Sequence, residues 1–350
     1  MNNRDQHIKC NYMVGHSIIP GLFFLLFTLL LSPPGCKVSP KQDQLKGETG
    51  TPAGEAESGE LAEPAVRFDL AEAESAYQYT TVEGHIKELS VKIGTRFAGS
   101  KNENAAAGFI EEQFKSYGYT TERQDFPLDD GTASCNVIAY KGKSMFEGDK
   151  PLIVIGGHYD SKKPASPGAN DNASGVALVL HMAEIMEKYS LDFRIVWVAF
   201  GAEEIIDKNP DHHHYGSRRF VKVLLPENSR RIIAMASIDM IGFGPRFNID
   251  NMGISSNWFR DILTEAAEER GYKVLHDVKQ PWSDHEAFES AGIPVAYIHW
   301  RTDPNYHSAN DVIKNVKPDK VKAVFETMIR GIGKIDDEIA QDPSLSIRDK

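Results

Sequence analysis

The residues of this chain best suited to chemistry are carboxylates and imidazoles that follow short apolar runs. His158 and Asp160 stand after the run at 152–155, Glu203 and Glu204 after 195–200, Asp239 after 232–238, and His307 beyond 295–298. Asp171 lies in the segment Gly-Ala-Asn-Asp-Asn-Ala-Ser-Gly at 168–175. Taken singly, each has a bland explanation, since an acid after a strand often caps a helix and a loop histidine is usually solvated. Together they constrain one another. Acids delivered to one rim by several strands repel unless cations neutralise them, and bound divalent metal is the economical solution. Imidazole mixed with carboxylate and no thiolate suits zinc, with cobalt or manganese as substitutes.

The elements around these residues must carry them to one place. Apolar runs at 136–140, 152–155, 195–200, 232–238 and 295–298 read as strands. Helical periodicity covers 104–117, 175–189, 215–225, 258–270 and 318–339. Continuous apolar strands alternating with helices predict an α/β fold, a mixed and mostly parallel central sheet covered by helices on both faces. In such folds ligands gather beyond the carboxyl ends of the strands, which is where these acids and histidines fall.

In order, His158-x-Asp160, the 168–175 segment, Glu203-Glu204, Asp239-Met240-Ile241-Gly242, Ser283-Asp284-His285 and Tyr306-His307-Ser308 resemble the M28 family of zinc peptidases, with likeness running from about Thr95 to Asp311. The resemblance implies a zinc-dependent exopeptidase fold with two zinc ions, His158 and Asp239 on one, Glu204 and His307 on the other, and Asp171 bridging. It further implies Glu203 as general base, Asp160 orienting His158, and Tyr306 donating a hydrogen bond to the developing oxyanion. Asp284 and His285 would lie near the substrate, with a helix cap as the alternative for Asp284. Trp282 and Trp300 would wall a pocket or pack in the core. The run His212-His213-His214 is expected to be a solvated loop.

The implied activity is hydrolysis of the N-terminal peptide bond of peptide substrates, although carboxypeptidase action fits the same motifs. Glutaminyl cyclases, which use a single zinc on the same scaffold, are also similar to this chain at 158–162 and 215–218. They carry tryptophan where this chain has Tyr306, which favours the peptidase. A non-catalytic binding protein is disfavoured because Glu203 and all five metal positions are present.

The remaining sequence speaks to address and partners. Residues 1–36 have the layout of a secretory signal, with Arg4 and Lys9 before an apolar run too short to span a bilayer comfortably. Gly35-Cys36 resembles a lipoprotein cleavage site, from which Pro33 and Pro34 depart; a soluble secreted protein is the alternative. An exported protein, periplasmic or at the cell surface and lipid-anchored through Cys36, is expected. Residues 37–66 read as a flexible acidic tether, 67–340 as the peptidase domain and 341–350 as a tail. With Cys10 removed and Cys36 lipidated, only Cys135 remains, so no internal disulfide is expected. A net charge of -11 excludes the basic footprint of a nucleic-acid binder. The tether fits a monomer held off a membrane surface.

Overall fold

The computed structural model describes residues 66–342 apart from 225 and 278. The expected leader, lipidation site and tether therefore lie outside the described residues, as does nearly all of the tail. Strand β1 (Val66–Arg67) enters the domain and is followed by α1 (Leu70–Ser75), α2 (Tyr79–Lys87) and α3 (Lys101–Ser116). Then come β2 (Thr120–Pro127), β3 (Ala133–Tyr140), β4 (Leu152–His158), α4 (Ser174–Met186), β5 (Tyr189–Ser190) and β6 (Arg194–Phe200). The second half runs through α5 (Tyr215–Lys222), α6 (Pro226–Ser229), β7 (Ile232–Ile238), β8 (Arg246–Asp250), α7 (Trp258–Glu269), β9 (Val274–Leu275), α8 (His285–Ser290), β10 (Val295–Arg301) and α9 (Pro318–Gln341).

Among the described residues the main sheet has eight strands in the order β2-β3-β6-β4-β7-β10-β8-β9. The central neighbours β6, β4, β7 and β10 are parallel, whereas β2, β3 and β8 join antiparallel. Alternation along each central strand feeds two separate cores. Ile153, Ile155, Trp197 and Ile298 face one core, shared with α2, α3, α4, α7 and α9. Leu152, Val154, Val198 and Val295 face the other, closed by Phe220 of α5 and Phe288 of α8. Full burial of each such side chain stabilises by about 1.5–3 kcal/mol, so the central strands form a rigid platform.

One expected boundary moves. The helix predicted over 175–189 stops at Met186, because Tyr189 and Ser190 pair in parallel with Val66 and Arg67. That pairing ties the start of the domain to the end of α4.

Candidate metal centre

Strand order assembles the site. Because β6, β4, β7 and β10 lie side by side, their carboxyl ends bring Glu203-Glu204, His158, Asp239 and the His307 loop into one row. Gly157, just before His158, lets this happen, since a side chain there would bring its Cβ to 2.4 Å from the Ile238 carbonyl on β7. The 169–173 turn preceding α4 adds Asp171. Asp311 fixes that turn by accepting the backbone N–H of Asn170 at 2.7 Å and of Asp171 at 3.0 Å. Asn172 ties it to β7, donating to the Ile238 carbonyl at 2.8 Å and accepting from the Met240 N–H at 3.2 Å.

All five sequence-predicted metal positions converge. His158 Nε2 lies 3.2 Å from Asp171 Oδ1 and 3.4 Å from Asp239 Oδ1. His307 Nε2 lies 3.2 Å from Asp171 Oδ2 and 3.0 Å from Glu204 Oε1. Asp171 thus presents one oxygen to each histidine, as a bridging carboxylate does. Two groups have atoms close enough to hold an ion, His158 with Glu203 and Asp239, and Asp171 with Glu204 and His307. Within the first, Glu203 Oε2 stands off from His158 Nε2 at 4.0 Å, farther than Asp171. Distance therefore favours Asp171 over Glu203 as the third partner of His158 and Asp239.

The donor set fits divalent cations. Asp239 Oδ1, Asp171 Oδ2 and Glu204 Oε1 are buried without a well-aligned hydrogen bond, met only by the ring nitrogens of His158 and His307 at 3.0–3.4 Å, an arrangement that is expensive unless positive charge lies among them. Burial and the nearby Asp171 charge push the Glu204 carboxyl up to about 7. Burial opposes a charge on His307, but Asp171 and Glu204 prevail and raise it to about 9. His158 is likewise raised well above its ordinary range against its burial, by Glu203 and Asp239. Burial disfavours the Asp171 charge, yet His158 and His307 hold the carboxyl below the usual range. The surrounding acids thus favour positive charge at both histidines, the role metal would take over.

The supporting residues are partly rearranged from expectation. Asp160 Oδ1 lies 3.4 Å from His158 Nδ1, close but long for a hydrogen bond. The stronger bonds of Asp160 accept the backbone N–H groups of Glu203 at 3.0 Å and Glu204 at 3.2 Å. Asp284 is fully buried at the N-cap of α8 but its side chain makes no capping bond, and burial with nearby Glu203 pushes its carboxyl up to about 7. His285 is fully buried and stacks on Tyr297 at 4.6 Å with its Nε2 on the Gln280 carbonyl. It therefore supports the Tyr297 ring that lines the cavity. Tyr306, half exposed, stacks on His307 at 3.6 Å.

The solvated-loop expectation for 212–214 is wrong for His214, which is buried with its Nε2 3.0 Å from Glu203 Oε1. The available signal was Tyr215-Gly216, whose glycine permits the chain to fold back onto the end of β6. A cavity of about 560 Å³ opens above the metal positions. Both tryptophans line it: Trp300 is buried and stacked on Phe247 at 4.8 Å, and Trp282 is half exposed at the rim beneath the Arg301 guanidinium. Cys135 is buried, its Sγ 3.5 Å from the Tyr159 hydroxyl.

Residues 136–332, more than half of the chain, match the family model described as Peptidase family M28. Aminopeptidase YwaD of Bacillus subtilis (strain 168) is 30% identical over 243 residues, covering 66% of this chain and 49% of that protein. Leupeptin-inactivating enzyme 1 of Streptomyces exfoliatus is 28% identical over 227 residues, covering 61% of this chain and 47% of that protein. The chain thus spans about half the length of these curated relatives. In fold it is similar to an aminopeptidase from Aneurinibacillus sp. strain AM-1, with TM-score 0.66 at 20% identity over 77% of this chain and 96% of that one. It is also similar to a Porphyromonas gingivalis glutaminyl cyclase, with TM-score 0.64 at 20% identity over 74% of this chain and 99% of the other. From the extent of the family match and the motifs it contains, the chain belongs to peptidase family M28.

Proposed function

We propose that this protein is a two-zinc aminopeptidase that hydrolyses the peptide bond next to a free amino terminus. The observation that carries the reading is the position of Asp171, one carboxylate oxygen toward His158 and the other toward His307, with Asp239 and Glu204 completing the two ends. His158 and Asp239 would hold one zinc, Glu204 and His307 the other, and Asp171 both. When bound, the pair supplies Lewis-acid polarisation of the scissile carbonyl and a water acidified toward neutral pH.

The protein's own residues do the rest. Glu203 is the general base: its Oε2 faces the metal positions without being nearest to them, so it can take a proton and pass it to the leaving amine. Asp160 keeps Glu203 and Glu204 in register through their backbone N–H groups. Tyr306, at the cavity beside His307, would donate a hydrogen bond to the oxyanion. The aminopeptidase names carried by relatives support action at the amino end.

The test is to titrate zinc into the chelated protein while following release of an aminoacyl chromophore. Activity that saturates at two zinc per chain supports the proposal. Saturation at one zinc, with cyclisation of glutaminyl peptides and no hydrolysis, would transfer the reading to a glutaminyl cyclase.

A further inference from the structure

The 205–214 loop returns to the end of β6 and ends on the proposed base. Three backbone hydrogen bonds close it: Gly216 N–H to the Gly201 carbonyl at 3.1 Å, Tyr215 N–H to Ala202 at 3.0 Å and His214 N–H to Glu203 at 2.8 Å. Gly216 allows so close an approach, because a Cβ there would sit 2.3 Å from Asn136 Oδ1 and 2.5 Å from the Gly201 carbonyl. His214 pays for its place with a left-handed backbone, φ 54°, which a residue with a side chain adopts only when its surroundings impose it.

His214 grips Glu203 twice, at the main-chain carbonyl and at Oε1, where its Nε2 lies 3.0 Å away. Asp160 holds the Glu203 N–H from the other side at 3.0 Å. Only Oε2 is left turned toward the metal positions, 4.0 Å from His158 Nε2. The other ring nitrogen of His214 faces Glu286 Oε2 at 3.4 Å, and Glu286 in turn accepts from Arg218 Nε at 3.0 Å. Carboxylate, imidazole, carboxylate and guanidinium thus alternate from the site outward. Burial disfavours a charge on His214, but Glu203 and Glu286 raise it to about 9, in keeping with both ring nitrogens acting as donors.

We infer that His214 is a positioning residue for Glu203, fixing one oxygen of its carboxylate so that the other is aimed at the reacting water. The inference rests on the reading of Glu203 as general base. A base helps when it lies within about 2.6–3.2 Å of the atom whose proton it takes, and a free glutamate side chain samples several rotamers. The grip removes that freedom without touching the substrate, so its loss falls on turnover and not on peptide binding.

Two variants test this in the zinc-loaded full chain. His214→Ala is expected to keep its zinc and its KM while kcat falls about 10- to 100-fold, the usual effect of losing a partner that orients a reacting group. His214→Gln, whose amide can still donate to Glu203, is expected to recover most of that loss. Independently of activity, proton NMR of the metal-free, histidine-labelled protein should show a slowly exchanging ring N–H that is absent in His214→Gln and shifted in Glu203→Gln. Wild-type turnover in His214→Ala, a deficit that glutamine does not relieve, or the absence of the Glu203-sensitive ring proton would overturn the inference. Failure of the wild type to cleave any peptide, with that ring proton present, would count against the hydrolytic reading while the grip on Glu203 stood.

Discussion

Glu203 and Glu204 are adjacent in the chain, yet their carboxylates have different histidine partners: Oε1 of Glu203 meets His214 Nε2 at 3.0 Å, and Oε1 of Glu204 meets His307 Nε2 at 3.0 Å. Ala202, with φ at 51°, turns the chain as β6 ends, and Asp160 accepts the backbone N–H of both glutamates. A two-residue motif is thereby split into a proposed base and a proposed ligand, and the predictions below follow from that division.

Removing the base should spare the metal. Glu203→Ala is expected to retain two zinc by elemental analysis while kcat falls about 10²- to 10⁴-fold, the range that general bases contribute. Unchanged turnover would remove Glu203 from its role, and lost zinc would make it a ligand instead.

Asp311 touches none of the five metal positions through its side chain except by holding the backbone of the 169–173 turn. Burial pushes its carboxyl up to about 7 although two N–H donors oppose that shift. Asp311→Ala releases both N–H groups and lets Asp171 drift, so zinc affinity should weaken by about 10- to 100-fold. Competition against a chelator of known affinity measures it, and wild-type affinity would show the turn to be held by other contacts.

His285 gives a signed dependence on pH. Burial pushes its imidazole down to about 3, so the native state favours the neutral ring. The unfolded chain binds a proton near the ordinary value of about 6.5. The contribution of this residue is therefore full above that value and is lost as pH falls toward 3. Melting temperatures of the metal-free protein and of His285→Phe, compared between pH 7 and 4, should show the wild type losing more stability on acidification. Parallel curves would mean that the ring carries its proton in the folded state.

The proposal that residues 1–36 are a lipoprotein leader makes a separate prediction. In a bacterial host fed an alkynyl fatty acid, the wild type should acquire the label and partition with membranes, whereas Cys36→Ala should acquire none. Labelling of that variant, or an unlabelled soluble wild type, would favour plain secretion.

The central sheet and the residues that converge at the ends of its strands were legible because the physics that sets them is local. Runs such as Ile232–Ile238 are apolar on both faces, as strands between two helical layers must be, and a lone acid at their end is conspicuous. Elements without such contrast escaped. β2 is an edge strand of mixed polarity, and β8 buries Asn248 and Asp250 among its apolar residues, so neither presents an uninterrupted apolar run. His214 was missed for another reason: a run of histidines among polar residues reads as solvated, whereas the backbone pairing of Tyr215 and Gly216 with the end of β6 turns it inward.

The most direct measurement is anomalous diffraction at the zinc edge from crystals of the zinc-loaded protein. The account predicts two peaks about 3.5–4 Å apart, one beside His158 and Asp239, the other beside Glu204 and His307, with Asp171 between them. A single peak, or two peaks with Asp171 touching neither, would contradict it.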